Sequence, residues 1–447
     1  MKDATNSSLA ARTSSLPLDG GGLGWGWCTI AEFVDTPLPN PPPRRAEGSP
    51  SARGGAGNCF RTLAVPMKPD QNAFDRHMMA IALTMARRGL GLTAPNPSVG
   101  AVIADEASGE VFARAVTAPG GRPHAETIAI ADAGARTRGA TIYVTLEPCS
   151  HHGKTGPCAE AIIAAGFKRV VVGIEDPDPR VAGRGLDKLR SAGIEVVRGV
   201  SAREARWVTR GHIVRVTERR PFVTLKLALD ANGDVPHGEG GEPLFVTSPE
   251  ARAHGHLLRA RADAILVGSG TVRADNPELT CRLPGLTARS PLRVVLSRGL
   301  DVPLAARVFA GAKRVPTLVV TASGAGAERR KDLEASGAQI VDVNQVGGKL
   351  WLPSVMEELV GRGLTRLLVE GGPGMWRAFA DAALLDEVAL YVAGDGVGSG
   401  AKDRLAHGPL QLAQRWLGSF PLSIIENRQI GPDRLWRLRR VAEQKEG

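Results

Sequence analysis

The chain has 447 residues, 43% apolar and 23% charged, with a net charge of +10. At about 100–200 residues per domain this length divides into two to four domains, and the composition excludes wholesale disorder. No run approaches the roughly 18 apolar residues of a spanning helix, no basic start precedes an apolar core, and five cysteines are too few for a disulfide scaffold. A cytoplasmic, reducing setting without a membrane partner is expected. The basic balance points to anionic partners. Aromatics at 4% are too sparse for a platform that stacks bases, so phosphorylated small molecules are favoured over nucleic acid. Self-association is compatible with the sequence.

Residues 1–69 hold nine prolines and nine glycines and show no period. They read as a disordered extension. Met67 lies just ahead of the first periodic segment, so the upstream residues also fit a mis-called start. From Phe74 the pattern is helical: Met78, Ile81, Ala82 and Met85 share a face, and Gly89 ends the run. Strands are expected at 99–103 and 111–115, a helix at 124–133, a strand at 141–146, a helix at 158–165, a strand at 169–174, a helix at 186–192 and a strand at 195–198. Ser201 and Glu204 suggest a capping box for one more helix. The charged stretch 217–221 ends in Pro221 and marks a boundary. A second alternating series then runs from a strand at 222–228 to a strand at 387–392. The expectation is two layered α/β domains, 70–216 and 221–444, without a tandem repeat.

The chemistry concentrates in His124-Ala125-Glu126, Pro148-Cys149 and Cys158. One imidazole and two thiolates suit Zn²⁺ and leave the fourth position for water, the open arrangement of catalytic sites. Zinc acidifies that water towards neutral pH. Glu126, two residues past the His and at the start of a predicted helix, is placed to shuttle protons without ligating. Each piece alone is common on protein surfaces or in cores; the combination is not. A structural zinc site would need a fourth protein ligand, for which His151 or His152 is available.

Zinc deaminases carry His-x-Glu and Pro-Cys-x-x-Cys, but here the cysteines enclose Ser150-His151-His152-Gly153-Lys154-Thr155-Gly156-Pro157. That loop closely resembles the deaminase domain of the bifunctional riboflavin-biosynthesis deaminase-reductases. So do Pro95-Asn96-Pro97-Ser98-Val99-Gly100, Asp176-Pro177-Asp178-Pro179 and Val181-Ala182-Gly183-Arg184-Gly185. The resemblance implies a cytidine-deaminase-like three-layer domain followed by a dihydrofolate-reductase-like domain. It implies one zinc per chain on His124, Cys149 and Cys158, and proton transfer by Glu126. The substrate implied is a diaminopyrimidinone with a ribosylamino 5′-phosphate. Asn96 suits a pyrimidine edge, with both donor and acceptor on its amide, and Lys154 suits the phosphate.

In the second half, Val369-Glu370-Gly371-Gly372-Pro373-Gly374-Met375 follows an apolar strand and opens a helix, a place for phosphate. Its spacing is not the dinucleotide fingerprint G-x-G-x-x-G. Gly394 to Gly400 reads as a flexible loop. Lys226, Arg259 and Arg282 offer positive charge. The resemblance implies NADPH as hydride donor for reduction of ribosyl to ribityl. It assigns Ala228, Phe245, Thr271, Asp275, Ser297 and Gly372, Pro373, Gly374 and Met375 to the cofactor, and Arg259, Leu279, Arg282 and Glu370 to the substrate. The chain departs from the family pattern twice: Asp230-Ala231-Asn232-Gly233 replaces Ser-x-Asp-Gly, and Gly241-Glu242-Pro243-Leu244-Phe245 replaces Gly-Glu-Ser-x-Trp. The competing reading is a zinc deaminase for another nucleoside, nucleotide or RNA base, with a degenerate or non-reductase C-terminal domain.

Overall fold

The computed structural model describes residues 71–153, 156–235, 246–394 and 408–441. The expectations for residues 1–69, for Lys154, for Pro243 and Phe245, and for the loop after Gly394 fall outside them.

The first domain is built on a five-stranded sheet in the order β2-β1-β3-β4-β5. β1 (Gly100–Ala104) runs antiparallel to β2 (Val111–Val116) and β3 (Thr141–Val144). β4 (Arg169–Val172) and β5 (Glu195–Arg198) continue parallel to β3. β1, β3 and β4 are buried at every position, as their apolar runs require when both faces are covered. The covering helices are α1 (Gln71–Arg88), α2 (Ala125–Ala133), α3 (Cys158–Ala165), α4 (Arg184–Ser191) and α5 (Ala202–Glu218). α1 neighbours α5, while α3 neighbours both α2 and α4. Gly100 lets α1 lie directly on β1: a Cβ there would be 1.8 Å from the Ala82 carbonyl oxygen. Arg169, buried on β4, is bound by both Asp75 oxygens and by Glu106, each at 2.8 Å, so its interior charge is paired.

The second domain alternates as expected up to its last strands. Its elements are β6 (Phe222–Leu229), α6 (Pro249–Ala260), β7 (Ala264–Gly268), α7 (Ser269–Asp275), β8 (Leu292–Leu296), α8 (Arg307–Ala310), β9 (Thr317–Ala322), α9 (Ala327–Ala335) and β10 (Gln339–Val343). They continue with the hairpin β11 (Gln345–Val346) and β12 (Lys349–Leu350), then α10 (Leu352–Gly361), β13 (Arg366–Val369), α11 (Pro373–Asp381) and β14 (Glu387–Val392). α12 (Pro409–Leu417), β15 (Leu422–Ile430) and β16 (Asp433–Arg440) close the domain. The nine-stranded sheet has the order β10-β9-β8-β7-β13-β6-β14-β16-β15. β10 to β14 in that order are parallel; β16 and β15 are antiparallel. β13 inserts between β6 and β7, so their carboxyl ends form the crevice where α/β sheets take ligands.

One local expectation changes, and two elements appear that the sequence pattern does not show. Ser201 does not cap α5: it lies at φ 52° and its side chain makes no capping bond. The glycine-rich segment after β7 forms the short helix α7. The hairpin β15–β16 was absent from the sequence reading, because its alternating charges mask a strand period at a partly exposed sheet edge.

α5 carries the chain onto the amino ends of the second sheet. There Gly211 meets Thr365, whose carbonyl oxygen would be 2.9 Å from a Cβ. Arg366 donates to the Val208 carbonyl, and Arg210 approaches Glu387 at 3.5 Å.

Candidate functional site

Two short helices bring the first constellation together. His124 is the N-cap of α2 and Cys158 is the first residue of α3. Cys149 stands in the loop between β3 and α3. The His124 nitrogen and the two thiol sulfurs lie within 4.8 Å of one another. His124 Nδ1 is 3.2 Å from Cys158 Sγ and 3.6 Å from Cys149 Sγ. The Cys158 amide donates to Cys149 Sγ at 3.3 Å. Hydrogen bonding from Cys158 and His124 draws the Cys149 thiol down to about 4, whereas the neighbouring Cys149 thiolate and burial push Cys158 up. Three soft-to-borderline donors on one spot fit Zn²⁺. Among the described residues the cluster has no fourth protein ligand. His152 instead pairs with Glu160 at 3.4 Å.

Glu126 lies in the first turn of α2 and is only 3% exposed. Its Oε2 is buried without a hydrogen-bond partner, and burial holds its carboxyl above the usual carboxylate range. A buried acid with one free oxygen beside a metal-type donor set is suited to accept a proton. Asn96 joins them: its Nδ2 is 3.3 Å from His124 Nε2 and donates to the Gly121 carbonyl at 2.8 Å.

Sequence reasoning gave no role to Glu147, which organises the loop. Its carboxylate accepts the amides of Asp176, Gly183, Gly185 and Leu186 at 3.2, 3.0, 2.9 and 3.4 Å. It thereby caps α4 and ties the Pro148-Cys149 turn to the Asp176–Gly185 segment. The available signal was an acid three residues after a buried strand.

The second constellation lies at the carboxyl ends of β6, β7 and β13. Arg259 on α6 grips Glu370 with two bonds, 2.9 and 2.8 Å. Lys226 on β6 is 3.9 Å from the same carboxylate. Burial alone would raise Glu370; these cations bring it down to about 2. Gly372, with no side-chain cap, precedes α11. A Cβ on Gly268 would be 3.0 Å from Met375 Cε, and one on Gly371 would be 3.2 Å from Thr271 Oγ1, while Gly372 and Gly374 face open space. The segments containing Thr271 and Met375 therefore meet in a cradle where a phosphate can reach backbone. That fits a dinucleotide such as NADPH.

The remaining expected positions are spread around this crevice. Ala228 is two residues beyond Lys226, on the same face of β6 and opposite Tyr391 of β14. Ser297 follows β8, buried, and donates to Asp301 at 2.9 Å. Asp275 ends α7 and is exposed. Leu279 is buried at φ 58°, so its backbone rather than its side chain is presented. Arg282 is exposed and pairs with Glu278 at 3.4 Å. His254 and Tyr391 were not anticipated. Arg428 donates to His254 Nε2 at 2.8 Å, and His254 Nδ1 lies 2.6 Å from the Tyr391 hydroxyl. Burial and Arg428 bring His254 down to about 3, so a neutral imidazole stands there.

Fold and site together define a zinc deaminase of the cytidine-deaminase kind joined to a reductase domain. A family model for the cytidine and deoxycytidylate deaminase zinc-binding region matches residues 72–174, and one for the RibD C-terminal domain matches residues 221–433. The riboflavin biosynthesis protein RibD of Aquifex aeolicus is 38% identical over 326 residues, 73% of this chain and 88% of that protein. The Escherichia coli protein of the same name is 36% identical, covering 80% and 97%. The solved structure of Acinetobacter baumannii RibD matches with TM-score 0.70 at 30% identity, over 83% of this chain and all of that one. The Thermotoga maritima diaminohydroxyphosphoribosylaminopyrimidine deaminase/5-amino-6-(5-phosphoribosylamino)uracil reductase matches with TM-score 0.68 at 32% identity, with 83% and 100% coverage. The chain belongs to the RibD family of riboflavin biosynthesis proteins. Its two domains are the expected cytidine-deaminase-like and dihydrofolate-reductase-like folds, and zinc and NADPH are its cofactors. No helix among the described residues is long and apolar enough to cross a membrane.

Proposed function

We propose that residues 70–216 deaminate 2,5-diamino-6-(5-phosphoribosylamino)pyrimidin-4(3H)-one, and that residues 221–444 then reduce the ribosyl side chain to 5-amino-6-(5-phosphoribitylamino)uracil. The observation that carries this reading is the buried Glu126 carboxylate, its Oε2 without a hydrogen-bond partner, beside the His124, Cys149 and Cys158 donor set. His124, Cys149 and Cys158 hold the zinc. When bound, zinc supplies the Lewis acidity that makes water reactive at neutral pH. Glu126 takes a proton from the attacking water and delivers it to the amino nitrogen, which leaves as ammonia. Its raised pKa suits both halves of that task. Asn96 holds the ring edge, with its side chain already oriented by Gly121. Lys154 completes the phosphate contact.

In the reductase half NADPH supplies the hydride. Ala228, Thr271, Asp275, Ser297 and Gly372, Pro373, Gly374 and Met375 line its place, and Phe245 is assigned to the cofactor with them. Arg259, Leu279, Arg282 and Glu370 face the substrate. Two cations, Lys226 and Arg259, against the one carboxylate of Glu370 leave that cluster net positive, which suits a phosphorylated substrate. Free thiols as metal ligands suit a cytoplasmic setting. Incubation of the full chain with the diaminopyrimidinone, without and then with NADPH, tests the reading by mass analysis. Exchange of the amino group for oxygen, followed by gain of two hydrogens only with NADPH, is the expected result. An unchanged substrate overturns it.

A further inference from the structure

The segment that carries Asn96 leans on the reductase domain at three points. Arg289 donates to the Arg88 carbonyl at 2.5 Å. Gly91 faces α6, where a Cβ would lie 2.6 Å from the Ala260 carbonyl oxygen. Gly363, in the turn between α10 and β13, faces Pro95: a Cβ there would lie 2.7 Å from Pro95 Cβ. Arg215 of α5 secures the same residue by donating to the Pro95 carbonyl at 2.7 Å. On its other side Asn96 is closed in by Gly121, where a Cβ would be 2.7 Å from Asn96 Cβ. Asn96 thus sits half-buried, walled on one side by Gly121 and next to His124. The residue before it rests on the second domain.

We propose that Gly363, a residue of the reductase domain, is a positioning residue for deamination. By carrying no side chain it lets Pro95 seat against the α10–β13 turn, and this seat fixes where Asn96 meets the pyrimidine ring. The proposal rests on the reading of Asn96 as a substrate contact. A methyl group at 363 has to push Pro95 away, because 2.7 Å is closer than two carbons approach. A displacement of that order at a binding amide changes the angle and distance of its hydrogen bonds. Misplacement by about 1 Å away from the chemistry costs up to roughly a hundredfold in rate.

The test uses the full-length zinc-loaded protein. Gly363→Ala, Asn96→Ala and the double variant are assayed for deamination and, with deaminated substrate supplied, for NADPH oxidation. Gly347→Ala serves as control: it has the same left-handed backbone, φ 57°, with open space around the Cβ. The expected result is a fall of roughly tenfold to a hundredfold in deaminase kcat/KM for Gly363→Ala, carried mainly by KM. Zinc content and reductase turnover stay within about twofold, and Gly347→Ala stays at wild-type level. In the Asn96→Ala background Gly363→Ala adds little, because both act through one amide. Full additivity in that background overturns the proposal, as does an equal loss of reductase activity. If Asn96→Ala is damaging while Gly363→Ala is silent, the positioning role alone fails. If Asn96→Ala is itself silent, the reading of Asn96 fails with it.

Discussion

The Glu147 carboxylate accepts the Gly185 amide at 2.9 Å, across a gap that no side chain at position 185 could share. A Cβ on Gly185 would lie 2.2 Å from the Pro148 carbonyl oxygen and 3.1 Å from Glu147 Oε1. The cysteine turn and the start of α4 are therefore one rigid piece. Glu147→Ala leaves buried amides unpaired, each costing about 1–3 kcal/mol. We expect it to lower stability by about 3–5 kcal/mol, a few such unpaired amides, and to weaken zinc retention. Urea unfolding and metal analysis check this. An Ala variant as stable as wild type, with full zinc, would show that the turn is held by something else.

Cys149→Ser and Cys158→Ser should each lose the metal. With three protein donors in the cluster, removing one leaves too few to hold an open site. The reductase reaction, assayed on deaminated substrate, should persist. Stoichiometric zinc in both purified variants would mean the donor set is misassigned.

Glu126→Gln should keep fold and zinc, since the carboxylate bonds to no other buried group through Oε2. Deamination should fall by about 10²–10⁴-fold, the usual contribution of a general acid/base. NADPH oxidation with supplied intermediate should not change. Deamination within threefold of wild type would remove Glu126 from the mechanism.

Glu370 makes acid stability of the second domain titratable. Its folded pKa lies near 2, against an ordinary 4.5, because Arg259 and Lys226 outweigh burial. A depressed acid stabilises the fold above its unfolded pKa and loses that contribution as pH falls towards the folded value. The window is thus about pH 4.5 down to 2, and the amount at stake is about 3 kcal/mol. Glu370→Gln should be less stable at pH 7, leaving Arg259 buried without its partner, and should lose less than wild type on acidification to pH 3. Parallel pH profiles of unfolding free energy for the two proteins would refute the assignment.

How much of this was legible in the sequence differs by residue. His124, Glu126, Cys149 and Cys158 announced themselves, because metal chemistry restricts residue types and each stood at the edge of a periodic element. The central strands were equally plain, since burial on both faces forces unbroken apolar runs such as Gly100–Ala104. Glu147 was opaque because its partners, Gly183 to Leu186, are remote in sequence and contribute only backbone. α7 was missed because Ser269-Gly270-Thr271 has poor helix propensity, which packing of Val272 against the sheet overrides. Ser201 misled for the opposite reason: Ser followed by Glu three positions later matches a cap, but a backbone at φ 52° points the hydroxyl elsewhere. His254 and Tyr391 meet only through tertiary pairing of α6 with β14.

The departure at Asp230 poses a choice between two effects. A carboxylate at the carboxyl end of β6 would repel cofactor phosphates if it faced the crevice. If it closes the following turn, its charge is largely spent on local amides. Asp230 Oδ1 accepts the amides of Asn232 and Asp234 at 2.9 and 2.8 Å. Gly233, at φ 83°, donates its amide to the Asp230 carbonyl at 3.0 Å. Trp416 of α12 locks the turn by donating to the Gly233 carbonyl at 3.1 Å. These bonds are the ones Asp supplies in turns, so the structure favours the second effect. Serine can make a weaker version of the same bond. Asp230→Ser should therefore bind NADPH within tenfold of wild type, a change below about 1.4 kcal/mol. Titration of NADPH by protein fluorescence measures it. Binding more than tenfold tighter in the variant would mean that the carboxylate does face the phosphates, and that the chain carries a weakened reductase.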